Sequence, residues 1–493
     1  MYDSIVIGSG VAGMTAAITL AQYGERVAIF EQARAPGGLM AAYARAGALF
    51  PTGVHCLGSM MPGGVLRKCL QRLGVFERLR IVPMTSPQGS HVCHFPGLTV
   101  SIPSDRQAYR QRLIDLFPDE ASAVDRFLGD MARVVRCFPL YTLHDAPAER
   151  RDAAPAISLR SYLEGITRNA KLASVLSALT LLVGLAPGEC PLHVYFLVLD
   201  SFLSGACRID ERRASLAASF ASALEACGGT IRTGARVVRI LYDGAGTRGV
   251  RLASGEEVGA RTVVFTGHPR QLLELCQDKG LRPAFLDRLR DAPDTPGAFG
   301  ICLKWNRPPD SLSRADAVLY DVWDLDRHYS QSLLSGTETL HAVYCSGAEA
   351  EESEAASVTA FCLSRLGEWS PWADSRTGQR PASYHAAKKA AGDRLMSVLE
   401  QQWPGARAEA EIVDSFTPLT FRDYTLASGG TAFGLKKTNH VYMPSQTRIH
   451  GLYLAGQSII LSGVLGSVIS AIRACQCILP AAPILADIRN HTA

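Results

Sequence analysis

The sequence predicts an α/β protein: a Rossmann-like dinucleotide-binding domain assembled from three separated stretches of chain, with an α+β domain inserted between them. Three observations carry this. A glycine turn joins an apolar strand to an alanine-rich helix at the N-terminus, sheet-type signals return twice further on, and the chain between is helical first and strand-rich later. At 493 residues there is enough chain for two or three domains with a large core.

The first block runs over 1–68. The apolar strand Ser4 to Ile7 leads into Gly8, Ser9, Gly10, Val11, Ala12 and Gly13, and the helix that follows gives way to a second strand ending at Glu31 and Gln32. In this pattern Gly8 permits the tight turn, Gly10 lets backbone approach a pyrophosphate and Gly13 lets the helix close on the strand, so phosphates meet a positive helix end. A carboxylate at Glu31 can accept both hydroxyls of an adenosine ribose and repels a 2′-phosphate. The second block, 207–270, reads as a helix from Ala214 to Cys227, the turn Gly228-Gly229 and strands around Ile231, Arg236 to Tyr242, Gly249 to Leu252 and Thr262 to Thr266. The third block is 417–493. The inserted domain takes 69–206 and 271–416: helical periodicity in Ala121 to Phe138 and Leu159 to Leu182, strands at Phe299 to Lys304, Ala317 to Val322 and Leu340 to Cys345, a small acidic surface loop from Gly347 to Ala355, and a helix from Ser383 to Gln402.

Composition excludes several classes. A formal net charge of +4 with 19% charged residues and no Lys/Arg block argues against nucleic acid, and leaves room for at most a weak attraction to anionic lipid. Thirteen scattered cysteines lack paired metal-ligand spacing, so they read as reduced thiols filling core space and no metal is expected. The nucleotide strand starts at residue 4, leaving no space for a secretory leader; a cytoplasmic location, peripheral to a membrane if associated with one, is the expectation. Glycines and prolines break the apolar stretches Leu172 to Gly188 and Gly451 to Ile472, which therefore read as buried elements rather than spans.

Two motifs mislead. Gly244, Gly246 and Gly249 repeat the dinucleotide spacing, but strands flank them on both sides, which suits a hairpin turn. Tyr384 and Lys388 mimic a dehydrogenase pair, yet read better as surface positions of a helix. With one convincing dinucleotide unit, and with Gly37, Gly38 and Leu39 after Glu31 where backbone must pass a ribityl region, the inference is a bound flavin, FAD, rather than two nucleotide cofactors.

Further segments give the chain a family likeness. Phe50, Gly53, His55, Cys56 and Gly58 fall in a Phe-Asp-x-Gly-x-His-Tyr-x-Gly pattern; Gly184 to Pro187 precedes an apolar run; Thr417 to Thr420, Tyr424 and Gly430 to Gly434 lead back to the nucleotide domain; and Gly456, Gln457, Gly463, Val464 and Gly466 form a terminal strand, loop and helix. On these residues the chain resembles the phytoene desaturase, carotenoid isomerase and retinol saturase family of flavoproteins. It departs from the pattern at Pro51, usually Asp, at Cys56, usually Tyr, and at Asp210 to Arg213, where a Gly-Gly turn is expected.

The resemblance implies a FAD-binding domain formed by both chain ends, and adds Val237, Gly267, Gly456, Gln457, Gly463 and Val464 to the cofactor residues. It also implies an enzyme that desaturates, saturates or isomerises carbon-carbon double bonds in a long apolar molecule, a polyene in free or carrier-bound form, with an external electron donor or acceptor. His55 is the first candidate for acid/base work, with Gln457 and Tyr424 behind it. An amine oxidase acting on C–N bonds and a non-catalytic flavin or lipid carrier are the alternatives; an arginine soon after Gly38 would favour the former, and here Leu39, Met40 and Ala41 follow.

Overall fold

The structure, a computed structural model, describes residues 1–84, 89–143, 156–276, 280–329, 333–334, 340, 342–347, 355–438 and 443–491. Strand β1 (Tyr2–Ile7) is polar at its start, Asp3 and Ser4, and continuously apolar from Ile5 to Ile7, because helices cover one face of the sheet it centres and the meander with short helices covers the other. It runs parallel to β2 (Val27–Phe30) on one side and to Glu257–Phe265 on the other. The parallel array continues outward through Thr230–Arg232 beside β2 and Leu452–Leu454 beside Phe265, so three distant stretches of sequence share one sheet. A meander, Val237–Asp243 and Gly246–Leu252, joins it through the start of Glu257–Phe265. The hairpin expected at Gly244 is thus present, and the second glycine fingerprint is not a nucleotide turn.

Helix α1 (Val11–Gln22) starts at Gly10 with no side-chain cap and packs in one core with the C-terminal helix Gly463–Ile478. Gly8 has φ of +99°, which only glycine adopts without strain. At Gly13 a Cβ would lie 1.9 Å from the Gly8 carbonyl oxygen.

A second, mixed sheet lies in the remaining chain, ordered Ala410–Phe416, Gly297–Trp305, Ala356–Ser364, Ala342–Gly347, Asp316–Tyr320, His91–Phe95, Leu98–Ile102. All pairs are antiparallel except Asp316–Tyr320 with His91–Phe95. Helices Ala121–Arg136 and Leu192–Leu203 pack beside it in a core of Phe127, Met131, Phe196 and Leu199. The expected helical run from Leu159 to Leu182 is broken into Leu159–Glu164, Ala170–Leu176 and a 3-10 turn, since Gly165 and the Asn169 cap restart the chain. Among the described residues no helix is long and apolar enough to cross a membrane. Most of the acidic loop expected from Gly347 to Ala355 lies outside the described residues.

Two expectations need correction. Tyr384 is not a surface residue: it is 4% exposed, and its hydroxyl meets Thr417 Oγ1 at 3.0 Å, anchoring helix Ala382–Gln402 to the sheet. At Asp210 to Arg213 an acid does the work expected of glycines, the Glu211 carboxylate accepting from the Leu216 amide at the start of helix Leu216–Ala226.

Replacing Gly13 by Ala forces helix and strand apart. An overpacking cost of about 1–3 kcal/mol is expected, read as a lowered urea midpoint together with weaker flavin retention; an unchanged midpoint would mean that the helix yields freely.

Candidate active site: a cavity between two uncapped helix ends

One cavity runs from the glycine turn to the face of the second sheet. At its first end it is lined by Gly8, Ser9, Gly10, Val11, Ala12, Glu31, Gln32, Gly38 and Leu39, joined by Val237 and Gly267. Gly13 and Gly37 stand behind this wall. Gly13 sets the helix-strand approach, and Gly37, with φ of +127°, leaves no space for a Cβ against Ala217. Gly10 differs from both: a Cβ there would meet nothing within 4 Å and would project into open space at the start of α1. No packing reason keeps this position bare, whereas a phosphate held by the α1 amides does.

Glu31, 7% exposed, accepts from the Ser9 amide at 2.8 Å and hydroxyl at 2.7 Å through one oxygen, and from the Ala33 amide at 2.8 Å through the other. Ser9 Oγ in turn accepts from the Gly37 amide at 3.1 Å. The carboxylate therefore clamps the glycine turn to the chain after β2 and keeps lone pairs for a diol. Ser9 is among the residues the sequence assigns to the cofactor turn; its part as the link between Glu31 and the Gly37 amide is seen only in the structure.

Toward the middle the cavity meets Gly456, Gln457, Gly463 and Val464. Helix Gly463–Ile478 begins there with its Ser462 hydroxyl donating to the Phe433 carbonyl at 2.8 Å, so no side chain caps its own first amides. Two positive helix ends with unsatisfied donors thus open on one cavity, an arrangement suited to an extended molecule with acceptors at two points. Gln457 reaches back to the Ala432 carbonyl at 3.4 Å.

The far end is aromatic, with Phe202, Phe361, Phe416, Phe421, Phe433 and Tyr344 in its wall. His55 and Cys56 lie here too, with His55 stacked on Phe361 at 5.8 Å between ring centres. The His55 Nδ1 is buried without a hydrogen-bond partner, and burial pushes the imidazole down to about 4. At neutral pH this ring is uncharged: it offers a lone pair and an N–H, but no imidazolium acid. Tyr424 is placed differently from its sequence expectation. It is 66% exposed, and its carbonyl accepts from Gln32 at 3.3 Å, which sets it at the rim of the ribose end and away from the aromatic wall. His193 is buried against Phe138, and desolvation holds it near 4 as well.

Behind the aromatic wall sits a polar cluster that no sequence spacing revealed. Asp316 is fully buried and accepts from Arg208 at 2.6 Å and from the Tyr344 hydroxyl. Burial works to raise its pKa, but Arg208, helped by His91 and Tyr344, holds the carboxyl below its ordinary range. Cys56 Sγ lies 3.7 Å from Tyr344 Oη and 3.9 Å from His91 Nε2. Cys56, His91 and Asp316 bring ligand-type atoms within 4.8 Å of one another, but Arg208 and Tyr344 already engage the carboxylate and a guanidinium is a poor neighbour for a cation.

With this geometry in place, comparison with known proteins gives the family. Residues 11–479 match the family of flavin containing amine oxidoreductases, and the chain belongs to it. Among its relatives is the all-trans-retinol 13,14-reductase of Rattus norvegicus, 24% identical over 97% of this chain and 85% of the relative. The chloroplastic prolycopene isomerase of Daucus carota is 24% identical over 93% of this chain and 76% of its own. Solved structures with the same fold include an oxidoreductase from Methanosarcina mazei, with a TM-score of 0.66 at 15% identity over 95% of this chain and 99% of that one, and a redesigned putrescine oxidase, with a TM-score of 0.62 at 15% identity over 99% of both. The protein is a flavoenzyme, and its cofactor is FAD.

Two measurements check this site. Glu31→Ala removes the clamp on Ser9 and the acceptor for the diol, and should weaken FAD binding tenfold or more, which is about 1.4 kcal/mol, followed by the rise in flavin fluorescence on release. The second is a pH dependence. His55, His91 and His193 sit near 4 in the folded chain against an ordinary 6.5, so between these values the unfolded chain takes up protons that the folded one refuses. Stability is therefore complete above pH 6.5 and falls as pH drops toward 4, with up to about three protons bound per unfolding event. A denaturation midpoint that stays flat from pH 6.5 to 4.5 would show that these rings are hydrated.

Proposed function

We propose that the enzyme changes the oxidation level or geometry of carbon-carbon double bonds in a long apolar polyene. The observation that carries this reading is the cavity itself, which joins a dinucleotide cradle to an aromatic end whose polar groups are all uncharged. Likeness along nearly the whole chain to a retinol reductase and a prolycopene isomerase supports it. Bound FAD supplies two-electron chemistry, giving or taking hydride.

The chain's own residues do the rest. Glu31 and the α1 amides would hold the adenosine and phosphate portion of FAD, the amides of Gly463 and Val464 are free to meet a second acceptor on it, and Gly10 and Gly38 leave room for it along the wall. The aromatic residues exclude water and grip a flat conjugated chain by stacking and dispersion. A delocalised hydrocarbon asks for little side-chain catalysis. Reduction and isomerisation, the reactions in the names of its relatives, need only a proton-bearing group beside the double bond. Electrons come from an external donor, and desaturation would use an external acceptor.

Oxidation of amines fits less well. Among the described residues lining the cavity Glu31 is the one carboxylate, and it belongs to the ribose end. A protonated amine entering the aromatic end would find no opposite charge, because Asp316 is engaged by Arg208.

The test uses the yellow holoenzyme. After anaerobic reduction with dithionite, all-trans-retinol or prolycopene should be converted, with chromatography showing a saturated or isomerised product; the oxidised enzyme mixed with putrescine should keep its flavin colour. Bleaching by putrescine, with both polyenes returned unchanged, would overturn the reading.

A further inference from the structure

We propose that Cys56 is the proton donor for the double-bond chemistry: in saturation its S–H bond breaks as a C–H bond forms on one carbon of the alkene, the other carbon would take hydride from reduced flavin, and water admitted at product release returns the proton to sulfur; in isomerisation the same proton is added and then returned to sulfur as that C–H bond breaks again. This rests on the reading above and assigns the step to a residue that stands where the resembling family usually carries tyrosine.

Three titratable groups are placed at the aromatic end, Tyr344, His55 and Cys56, and geometry separates them. Tyr344 is committed, its hydroxyl donating to the buried Asp316 carboxylate. His55 is neutral, and the N–H of a neutral imidazole is a far weaker acid than a thiol. Cys56 remains, partly accessible from the cavity and held from behind by two partners, Tyr344 Oη and His91 Nε2.

Hydrogen bonding fixes how His91 faces it. The Ser90 hydroxyl has one proton, which it gives to the Ile102 carbonyl at 3.1 Å. The 3.0 Å contact between Ser90 Oγ and His91 Nδ1 therefore uses the proton on Nδ1, and Nε2 is left as an acceptor toward the thiol. The thiol can thus rest with its hydrogen on His91 and turn toward the cavity. Desolvation raises the Cys56 pKa well above its ordinary value, so sulfur keeps its proton until a strongly basic carbon draws it away. The Asp316 carboxylate adds to that rise, with Tyr344 and, more weakly, Arg208 opposing it, so any thiolate formed is short-lived and sulfur is soon reprotonated. Tyr344 and His91 are positioning residues in this scheme.

The experiment compares wild-type, Cys56→Ala and Cys56→Ser holoenzymes, each checked for flavin content and melting temperature, reduced with dithionite and mixed with all-trans-retinol and prolycopene in H2O and D2O. In D2O wild type should form a saturated retinoid with deuterium at the protonated carbon, beside the deuterium that reduced flavin, whose N–H exchanges with solvent, delivers to the other carbon. Cys56→Ala should react about 100-fold more slowly or worse, while Cys56→Ser, which retains a proton donor, should stay within about tenfold. Cys56→Ala at near wild-type rate would overturn the assignment and leave the polyene reading standing. Equal loss in Ala and Ser would assign the effect to packing and overturn it too. Wild-type saturated product without deuterium at the protonated carbon excludes any exchangeable donor, whatever the variants do. Failure of wild type to convert either polyene overturns the polyene reading, and this inference with it.

Discussion

Everything in this molecule depends on the first helix lying against the helix Gly463–Ile478 near the C-terminus. Ala12, Ala16 and Ala17 of Val11–Gln22 share a core with Val468, Ala471, Ile472 and Cys475 of Gly463–Ile478, and the Cys475 thiol reaches the Ala16 carbonyl at 3.7 Å. Small residues on the first helix let the two axes approach, so both N-termini come to one cavity with their amide donors unspent. A bulkier pair would separate them, and neither end alone presents enough donors to hold an extended dinucleotide. The loop-closure cost of joining chain ends so far apart grows only logarithmically with length and is offset by the apolar area buried between the helices.

The cavity separates charge from its absence. At the ribose end the Glu31 carboxylate accepts from the Ser9 and Ala33 backbone amides and keeps acceptor capacity for hydroxyls. At the aromatic end every polar group in the wall is neutral, and the one ion pair, Arg208 with Asp316, is sealed behind Tyr344. This ordering is what a polyene requires. A net charge in the wall would demand hydration and draw water toward a site that must stay dry, whereas a neutral thiol, phenol and imidazole can exchange protons without first being desolvated as ions.

How much of this was legible in the sequence follows from the range of the forces involved. The glycine turn, Glu31 and the terminal Gly456 to Val464 segment act through backbone geometry over a few residues, and their spacing alone carries the message. Strands of the first sheet were readable for the same reason: parallel strands covered on both faces are short continuous apolar runs. The second sheet was harder. His91–Phe95 and Ala356–Ser364 have no single solvent-facing side, so the period of two that marks a strand is blurred by burial on both faces. Tyr384 was misread because a helix packed on a sheet at one end and wet at the other gives no clean amphipathic signal. The cluster of Cys56, His91, Arg208, Asp316 and Tyr344 was invisible, each residue coming from a different element with dozens of residues between them. Pairing of Asp316–Tyr320 with both His91–Phe95 and Ala342–Gly347 joins three of them, and the bridge between Leu57 and Cys207 sets Cys56 and Arg208 beside each other.

That pairing also explains why such a costly group is tolerated in the core. Arg208 belongs to the strand Cys207–Ile209, which pairs with Ile81–Pro83 outside both large sheets; Asp316 opens a strand of the second sheet; and Cys56 lies within the first block, between the strand Ala48–Pro51 and the helix Val65–Arg72. Desolvating the ion pair is offset by further hydrogen bonds, and here the Tyr344 hydroxyl donates to the Asp316 carboxylate and the Leu312 carbonyl accepts from Arg208. The requirement is strict in direction: the carboxylate accepts from one guanidinium and one phenol that arrive from different segments. A hydrophobic plug of equal volume could stabilise the junction as well, but would let the segments slide. Directional bonds fix the register between the element carrying Cys56 and the sheet carrying Tyr344, and with it the shape of the aromatic end where the two face one cavity.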